Sequence, residues 1–176
     1  MSISWIIFAA GSALLIWFSW AVSIRARRYH GIARFFAFES ILTLFLLNVR
    51  FWFDEPWSVL HVLSWLLLTG SLVLALGSIR LYFKFAAPRG QFENSTRLVE
   101  SGIYRFIRHP MYGSLMLLGL GIFLKRVTEL TSALAFIVVL ALFLTALIEE
   151  GEMRARFGEE YTAYRRRTKR FIPFLV

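Results

Sequence analysis

Long apolar runs dominate the sequence, and they constrain its fold more than any other feature. A helix needs about 20 apolar residues to cross a bilayer, and it satisfies its own backbone hydrogen bonds there. Predominantly apolar segments lie near 3–24, 35–53, 57–83, 110–124 and 130–149. They predict an all-α fold, a polytopic membrane bundle of about five transmembrane helices, in which the fourth is short for a full crossing.

Basic residues are distributed unevenly between the ends of these runs. Of the 20 Lys and Arg residues, seventeen fall in three alternate segments, 25–34, 80–109 and 150–176. Because basic residues accumulate in cytoplasmic loops, we expect the N-terminus outside and the C-terminus in the cytoplasm. No positive charge precedes 3–24, whereas RARR follows it, which is the reverse of a cleaved signal peptide. The first run is therefore predicted to be a retained span.

Composition limits the remaining function classes. The chain is 58% hydrophobic, and its charges lie in short segments between apolar runs, so the net charge of +9 indicates topology and lipid headgroups rather than nucleic acid. It has no cysteine, which excludes disulfides, Cys-ligated zinc, iron–sulfur clusters and a thiol nucleophile. No two histidines have metal-ligand spacing, so we predict no metal. Residues 1–176 are interpreted as a single integral membrane domain.

The C-terminal segment differs from the apolar runs. It is charged and helix-prone up to about Arg167, and its larger apolar side chains recur at spacings of four, four and three: Met153, Phe157, Tyr161 and Tyr164. This spacing places them on one face of a helix. The pattern predicts an amphipathic helix lying on the cytoplasmic membrane surface.

The stretch IRHPMYG at 107–113 places a cationic, titratable pair at the start of the fourth run. Pro110 suits the first position of a helix, which makes His109 its cap and places Arg108 just before it. The free N–H groups of a helix start attract anions, and both side chains add donors. The stretch therefore predicts a socket for a carboxylate or phosphate at the inner membrane surface.

A second charged pair, Glu149 and Glu150, ends the fifth run. Two short antiparallel helices joined by a tight turn bring their far ends together, so these acids are expected near Arg108 and His109. Small residues on both runs would permit close packing between them: Gly113, Ser114, Gly119 and Gly121 on the fourth, and Ala133, Ala141 and Ala146 on the fifth.

Simpler interpretations of these residues stay open. Arg108 alone is also typical of the positive-inside pattern, His109 of a helix cap, and the two acids of a solvated helix end. His30, in the first basic loop, is interpreted as facing lipid headgroups. Ionisable residues that converge at a bilayer edge nevertheless favour a functional site.

Two blocks of the sequence resemble a known superfamily. They are LVESGIYRFIRHPMY at 98–112 and EEGEMRARFGEEYTAY at 149–164, followed by RFIP at 170–173. The isoprenylcysteine carboxyl methyltransferase and phospholipid methyltransferase superfamily has a similar pattern over this region. Ser114 stands where that pattern usually has Gly, and Met153 replaces its usual Leu. Neither departure touches a charged position.

The resemblance implies an S-adenosylmethionine-dependent methyltransferase whose cofactor lies between the last helical hairpin and the C-terminal segment, 98–176. It implies that His109 and Tyr112 help to hold the cofactor at the helix start formed by Pro110. Glu149 and Glu150 would face its amino or ribose groups or assist the acceptor, and Arg108 would bind or orient the acceptor. A five-span chain of this length is similar to prokaryotic members.

The side chains themselves suit that ligand, which carries a carboxylate, an ammonium, a ribose diol and a sulfonium. Five aromatic side chains offer ring faces for the adenine or the sulfonium, with a packing role equally open: Tyr104, Tyr112, Phe157, Tyr161 and Tyr164. The acceptor is expected to be lipid-like, either a prenylcysteine carboxylate or a phospholipid amine. An amine must lose a proton, for which Glu149 or Glu150 is a candidate base.

Two alternatives remain at this stage. Sterol-type membrane reductases resemble the superfamily in their C-terminal halves and use NADPH. A non-enzymatic membrane subunit is the other alternative.

Overall fold

The computed structural model of the chain describes residues 3–54, 57–86 and 97–173. Five α-helices occupy these ranges: α1 (Ile3–Ser19), α2 (His30–Asn48), α3 (Val59–Phe85), α4 (Pro110–Phe123) and α5 (Glu129–Arg167). No strand occurs in them. The predicted all-α membrane bundle is confirmed. Part of the predicted inner segment 80–109, namely 87–96, and the last three residues of 98–176 lie outside the described residues.

Among the described residues, four helices are long and apolar enough to cross a membrane: α1 with the π-helical turn that follows it, α2, α3 and α5. Helix α4 has 14 residues and spans about 21 Å at 1.5 Å per residue, less than the hydrocarbon core. It agrees with the prediction of a short fourth span. The large apolar side chains of α1 are mostly exposed, as Trp5 and Trp17 show, which suits a surface that faces lipid.

The connection between α1 and α2 is tighter than predicted. The chain passes through a π-helical turn, Trp20–Ile24, and Arg27 then adopts a left-handed backbone with φ 56°. Because this reversal is complete by Tyr29, α2 begins at His30 and not near residue 35.

Helix α4 is joined to α3 by a row of buried serines. Ser64 and Ser71, seven residues apart on α3, donate hydroxyl hydrogen bonds of 2.7 Å to the carbonyl oxygens of Gly121 and Ser114. A Cβ on Gly121 would lie 2.9 Å from Leu68 of α3. The prediction that Gly121 packs against the fifth span is therefore wrong.

Gly119 does face α5. A Cβ at this position would lie only 2.8 Å from Val138 Cγ1, so the absence of a side chain permits the close contact between α4 and α5. The turn that joins these two helices ends at Thr128, whose hydroxyl accepts from the backbone N–H of Thr131 and caps α5.

Helix α5 continues past the predicted membrane edge. It runs unbroken from Glu129 to a kink at Gly158 (φ 56°) and then to Arg167. Glu, Met, Arg and Ala, the main residues after Glu149, are strong helix formers, so nothing ends the helix there. The predicted helix up to about Arg167 is confirmed, since the residues after the kink at Gly158 are helical and its face with Tyr161 and Tyr164, each only 2% exposed, packs against the protein. Its place at the membrane surface stays a prediction.

Candidate active site

The start of α4 and the middle of α5 meet through a buried ion pair. Arg108 Nη2 lies 2.9 Å and Arg108 Nε 3.1 Å from Glu150 Oε1, and the two side chains are 6% and 5% exposed. The helical hairpin thus brings the two predicted charged patches together.

The C-terminal segment holds Arg108 and His109 from the other side. The Arg108 N–H donates to the Lys169 carbonyl at 2.7 Å, and the Lys169 N–H donates to the Phe106 carbonyl at 2.9 Å. The His109 N–H donates to the Arg170 carbonyl at 3.0 Å. This short parallel pairing fixes the backbone just before Pro110, and it brings the side chain of Arg170 to the same cluster.

Glu150 lies at the centre of a cluster of guanidinium groups. Arg170 donates to both of its carboxylate oxygens, at 3.0 and 3.2 Å, and Arg165 Nε lies 3.5 Å away. Arg108 Nη1 donates to the carbonyl oxygens of Thr168 and Arg165. Three cations favour the ionised form of this carboxylate. The sequence reasoning missed Arg165, Thr168 and Arg170 here, although the RFIP block contained a signal for Arg170.

A cavity of about 100 Å³ lies beside this cluster. Eight of the nine predicted site residues line it: Tyr104, Arg108, His109, Pro110, Tyr112, Glu149, Tyr161 and Tyr164. Glu150, the ninth, does not, because its carboxylate is turned to the guanidinium groups. Six further lining residues were not predicted as site residues: Tyr82, Arg97, Leu98, Val99, Met111 and Met153. Small-molecule pockets usually measure about 300–1,000 Å³, so a cofactor-sized ligand requires this cavity to widen.

His109 links the cluster to the cavity. Its ring stacks on Tyr112 with centroids 5.5 Å apart. Its Nδ1 lies 3.7 Å from Glu149 Oε2, and its Nε2 lies 3.6 Å from Glu150 Oε1. Within the described part of the chain, this Nε2 is buried without a hydrogen-bond partner. His109 is therefore held by its neighbours while one ring nitrogen keeps hydrogen-bonding capacity.

The tyrosines divide into two kinds. The Tyr164 hydroxyl donates to the Tyr104 carbonyl oxygen at 2.7 Å and is used in the fold. The Tyr161 hydroxyl, in contrast, is buried and finds no hydrogen-bond partner among the described residues. Burial, and secondarily the charge of Glu149, raise the pKa of Tyr104 above its usual range, so this phenol stays neutral at physiological pH.

The profile of the phospholipid methyltransferase family matches residues 59–160, which include α3, α4 and most of α5. This match covers more than half of the chain. The chain belongs to the phospholipid methyltransferase family. It is accordingly a membrane methyltransferase, and no comparison supports the reductase alternative.

Named relatives add detail. Two proteins of Oryza sativa, from the subspecies indica and japonica, are each named probable protein-S-isoprenylcysteine O-methyltransferase. Each is 28% identical over 158 residues, which is 88% of this chain and 81% of the relative. Protein-S-isoprenylcysteine O-methyltransferase B of Arabidopsis thaliana is 32% identical over 85 residues, 47% of this chain and 43% of the relative. No solved structure matches the chain significantly.

The cavity residues fit a methyl donor of the S-adenosylmethionine type. Glu149, a carboxylate with 26% of its side chain exposed, suits an ammonium or a ribose diol. The Tyr161 hydroxyl is a buried polar atom with a hydrogen bond still to make, whereas His109 Nε2 already faces Glu150 Oε1 at 3.6 Å. Among the described residues, no group of three or more His, Asp or Glu side chains is arranged to hold a metal ion.

Proposed function

We propose that this membrane methyltransferase uses S-adenosylmethionine and methylates a lipid-like acceptor, a prenylcysteine carboxylate or a phospholipid amine, at the cytoplasmic membrane surface. The observation that carries the proposal is the buried cluster around Glu150. It fixes Arg108 and His109 at the rim of a cavity that Glu149 and several tyrosines complete. The family match and the isoprenylcysteine methyltransferase relatives support the same chemistry.

The two acids take different roles in this proposal. Glu150 accepts from Arg108 and Arg170 and lies outside the cavity, so it positions the site. Glu149 lines the cavity, and it would bind the ammonium or ribose hydroxyls of the cofactor. His109, Tyr112 and Tyr161 would form further contacts. When bound, S-adenosylmethionine supplies a methyl group activated by a sulfonium sulfur.

The protein contributes alignment more than acid–base power, since methyl transfer is an in-line displacement. A carboxylate acceptor needs no base. Methyl transfer to it removes the negative charge of the carboxylate and the positive charge of the sulfonium, which a water-poor site at the bilayer edge favours. An amine acceptor must first lose a proton. For that step Glu149 is the better candidate, because guanidinium groups already occupy both oxygens of Glu150.

Arg108 acts mainly as a positioning residue. Its Nε and Nη2 donate to Glu150, and its Nη1 donates to backbone oxygens of Arg165 and Thr168. Little of its hydrogen-bonding capacity remains for an acceptor, so at most it offers one further donor to a substrate carboxylate or phosphate.

The orientation with the N-terminus outside and the C-terminus in the cytoplasm is part of the proposal. It places the cavity where a water-soluble cofactor enters. A prokaryotic source remains a prediction, since the relatives above are plant proteins.

Because the chain has no cysteine, single-cysteine variants at exposed Ser132 and Glu159 can be labelled with a membrane-impermeant maleimide. Labelling of the residue-132 variant from the outside, and of the residue-159 variant only from the cytoplasmic side, supports the orientation.

Isothermal titration of the purified full-length protein with S-adenosylmethionine and with its demethylated product tests the proposal. Both ligands should bind, and NADPH should not. No binding of either ligand at millimolar concentration in lipid would contradict it.

A further inference from the structure

A second cavity, of about 410 Å³, lies next to the candidate active site. Arg27 and Arg28, from the connection between α1 and α2, form one wall, and Glu152, Met153, Ala155 and Arg156 of α5 form the other. We call it the basic groove. Met153 also lines the active-site cavity, so the two cavities are separated by one shared side chain.

The basic groove is electrostatically suited to an anion. It presents three guanidinium groups and one carboxylate, that of Glu152. Glu152 Oε2 lies 2.8 Å from Nδ1 of His30, whose side chain is 2% exposed. Glu152 is the only acid that lines the groove among the described residues. A buried histidine behind the groove engages its Oε2, whereas its Oε1 is buried without a hydrogen-bond partner in that part of the chain. His30, predicted to face headgroups, instead holds this acid in place.

Two distant parts of the chain are needed to form the basic groove. Arg27 adopts a left-handed backbone, a costly conformation for a residue with a Cβ. That conformation is part of the reversal that sets the α1–α2 connection against α5. On α5, Glu149 and Arg156 are seven residues apart, which is two turns or about 10 Å. The distance from a group bound in the groove to the active-site cavity is therefore about the length of a lipid headgroup.

We propose that the basic groove is a binding site for a phosphate group, presented by a phospholipid headgroup at the membrane surface. Arginine forms charge-assisted, often bidentate hydrogen bonds with phosphate oxygens. The two arginines of the α1–α2 connection follow the first span directly, at the level of the headgroups. Only the claim that the bound lipid lies beside the methyl-transfer site rests on the proposed function.

Ordinary positive-inside arginines are the competing explanation. Such residues face water separately and act only through their charge. Here Arg27 and Arg156 line one concave site of defined residues. Arg25 and Arg154, which are exposed neighbours on the same two segments, do not line it. These neighbours supply matched controls, because their loss removes the same charge from the same surface.

The experiment uses the full-length protein in a detergent without phosphate. Native mass spectrometry measures binding of dioleoylphosphatidylglycerol, and of dioleoylglycerol, which has the same chains without phosphate. Arg27→Gln and Arg156→Gln should each weaken phosphatidylglycerol binding at least about fivefold. Arg25→Gln and Arg154→Gln should stay within about twofold of the unaltered protein.

Three results would overturn the proposal: an equal loss in all four variants, no loss in the two groove variants, or equal retention of dioleoylglycerol. Inorganic phosphate is titrated in a parallel arm. If it binds the unaltered protein in the absence of lipid and this binding needs Arg27 and Arg156, the ligand is free phosphate. If only the lipid binds, the ligand is the headgroup.

Titration with S-adenosylmethionine on the same preparations separates this proposal from the proposed function. Failure of the unaltered protein to bind it would contradict the methyltransferase mechanism and leave the phosphate result standing. Unchanged binding in Arg27→Gln and Arg156→Gln would show that these variants are folded.

Discussion

Arg108 and Glu150 are 42 positions apart in the sequence, yet their side chains meet at 2.9 Å in the interior of the protein. This pair joins the start of α4, the middle of α5 and, through Arg170, the C-terminal segment. The neighbouring acid, Glu149, faces the cavity. We therefore propose separable roles for these two adjacent residues of the same type, Glu150 in stability and Glu149 in ligand binding.

Substitution of the two acids tests this separation. Glu150→Gln leaves buried guanidinium groups without their carboxylate and should lower the free energy of unfolding by about 3–5 kcal/mol. Glu149→Gln should change it little but should weaken S-adenosylmethionine binding about tenfold or more, through loss of a charge-assisted hydrogen bond. Unfolding in detergent without ligand and calorimetric titration measure the two quantities. If both substitutions changed stability equally and weakened ligand binding equally, the proposed separation of roles between Glu150 and Glu149 would be contradicted.

Arg170 and Lys169 test the C-terminal segment. Lys169 contributes backbone hydrogen bonds and has an exposed side chain, so Lys169→Ala should be nearly neutral. Arg170→Ala removes two hydrogen bonds to Glu150 and should cost about 1.5–3 kcal/mol of stability. The comparison is made by thermal unfolding of the ligand-free proteins. Identical midpoints for the two variants would show that the Arg170 side chain does not support the cluster.

The tyrosine hydroxyls provide a second matched pair. Tyr164→Phe removes a buried hydrogen bond to the Tyr104 carbonyl oxygen and should lower stability by about 1 kcal/mol. Tyr161→Phe removes a buried hydroxyl without a partner, so stability should be unchanged or slightly higher. If this hydroxyl contacts the cofactor, Tyr161→Phe will also weaken its binding. A stability loss larger for Tyr161→Phe than for Tyr164→Phe would contradict the conclusion that the Tyr164 hydroxyl is hydrogen-bonded within the fold and the Tyr161 hydroxyl is not.

Glycine positions test the packing of α4 on α5. Gly119→Ala would place a Cβ 2.8 Å from Val138 and should destabilise the protein by about 1–3 kcal/mol. Gly77→Ala on α3 meets no atom within 4 Å and should be neutral or stabilising, because alanine favours a helix. Both are compared by unfolding in the same detergent. A stable Gly119→Ala protein would mean that α4 and α5 do not pack closely there.

The sequence was sufficient to predict the helical bundle and the meeting of the two charged patches. The lengths of the apolar runs determine the transmembrane spans. Because the fourth and fifth spans form an antiparallel hairpin, residues 108–109 and residues 149–150 lie at the same end of it. Helix up to Arg167 was predicted, but not that the fifth span continues directly into it as far as the kink at Gly158. A change in polarity marks the membrane exit, and it does not end the helical hydrogen bonding.

The separate roles of Glu149 and Glu150 could not be predicted from the sequence. Glu149 and Glu150 are identical side chains in adjacent positions, and only the helix rotation decides which one meets the guanidinium groups. Arg170 is brought in by backbone pairing between 106–109 and 169–170, which leaves no periodic pattern in the sequence. His30 was misjudged for a similar reason, because its partner Glu152 is 122 positions away.

The central claim, methyl transfer to a lipid-like acceptor, is tested most directly by incubating the purified protein with methyl-labelled S-adenosylmethionine and a native lipid extract. We predict labelled product in the lipid fraction, formed by the unaltered protein and strongly reduced in Glu149→Gln. The absence of label in that fraction with correctly folded protein would contradict the claim, whereas equal labelling by both proteins would contradict the role proposed for Glu149.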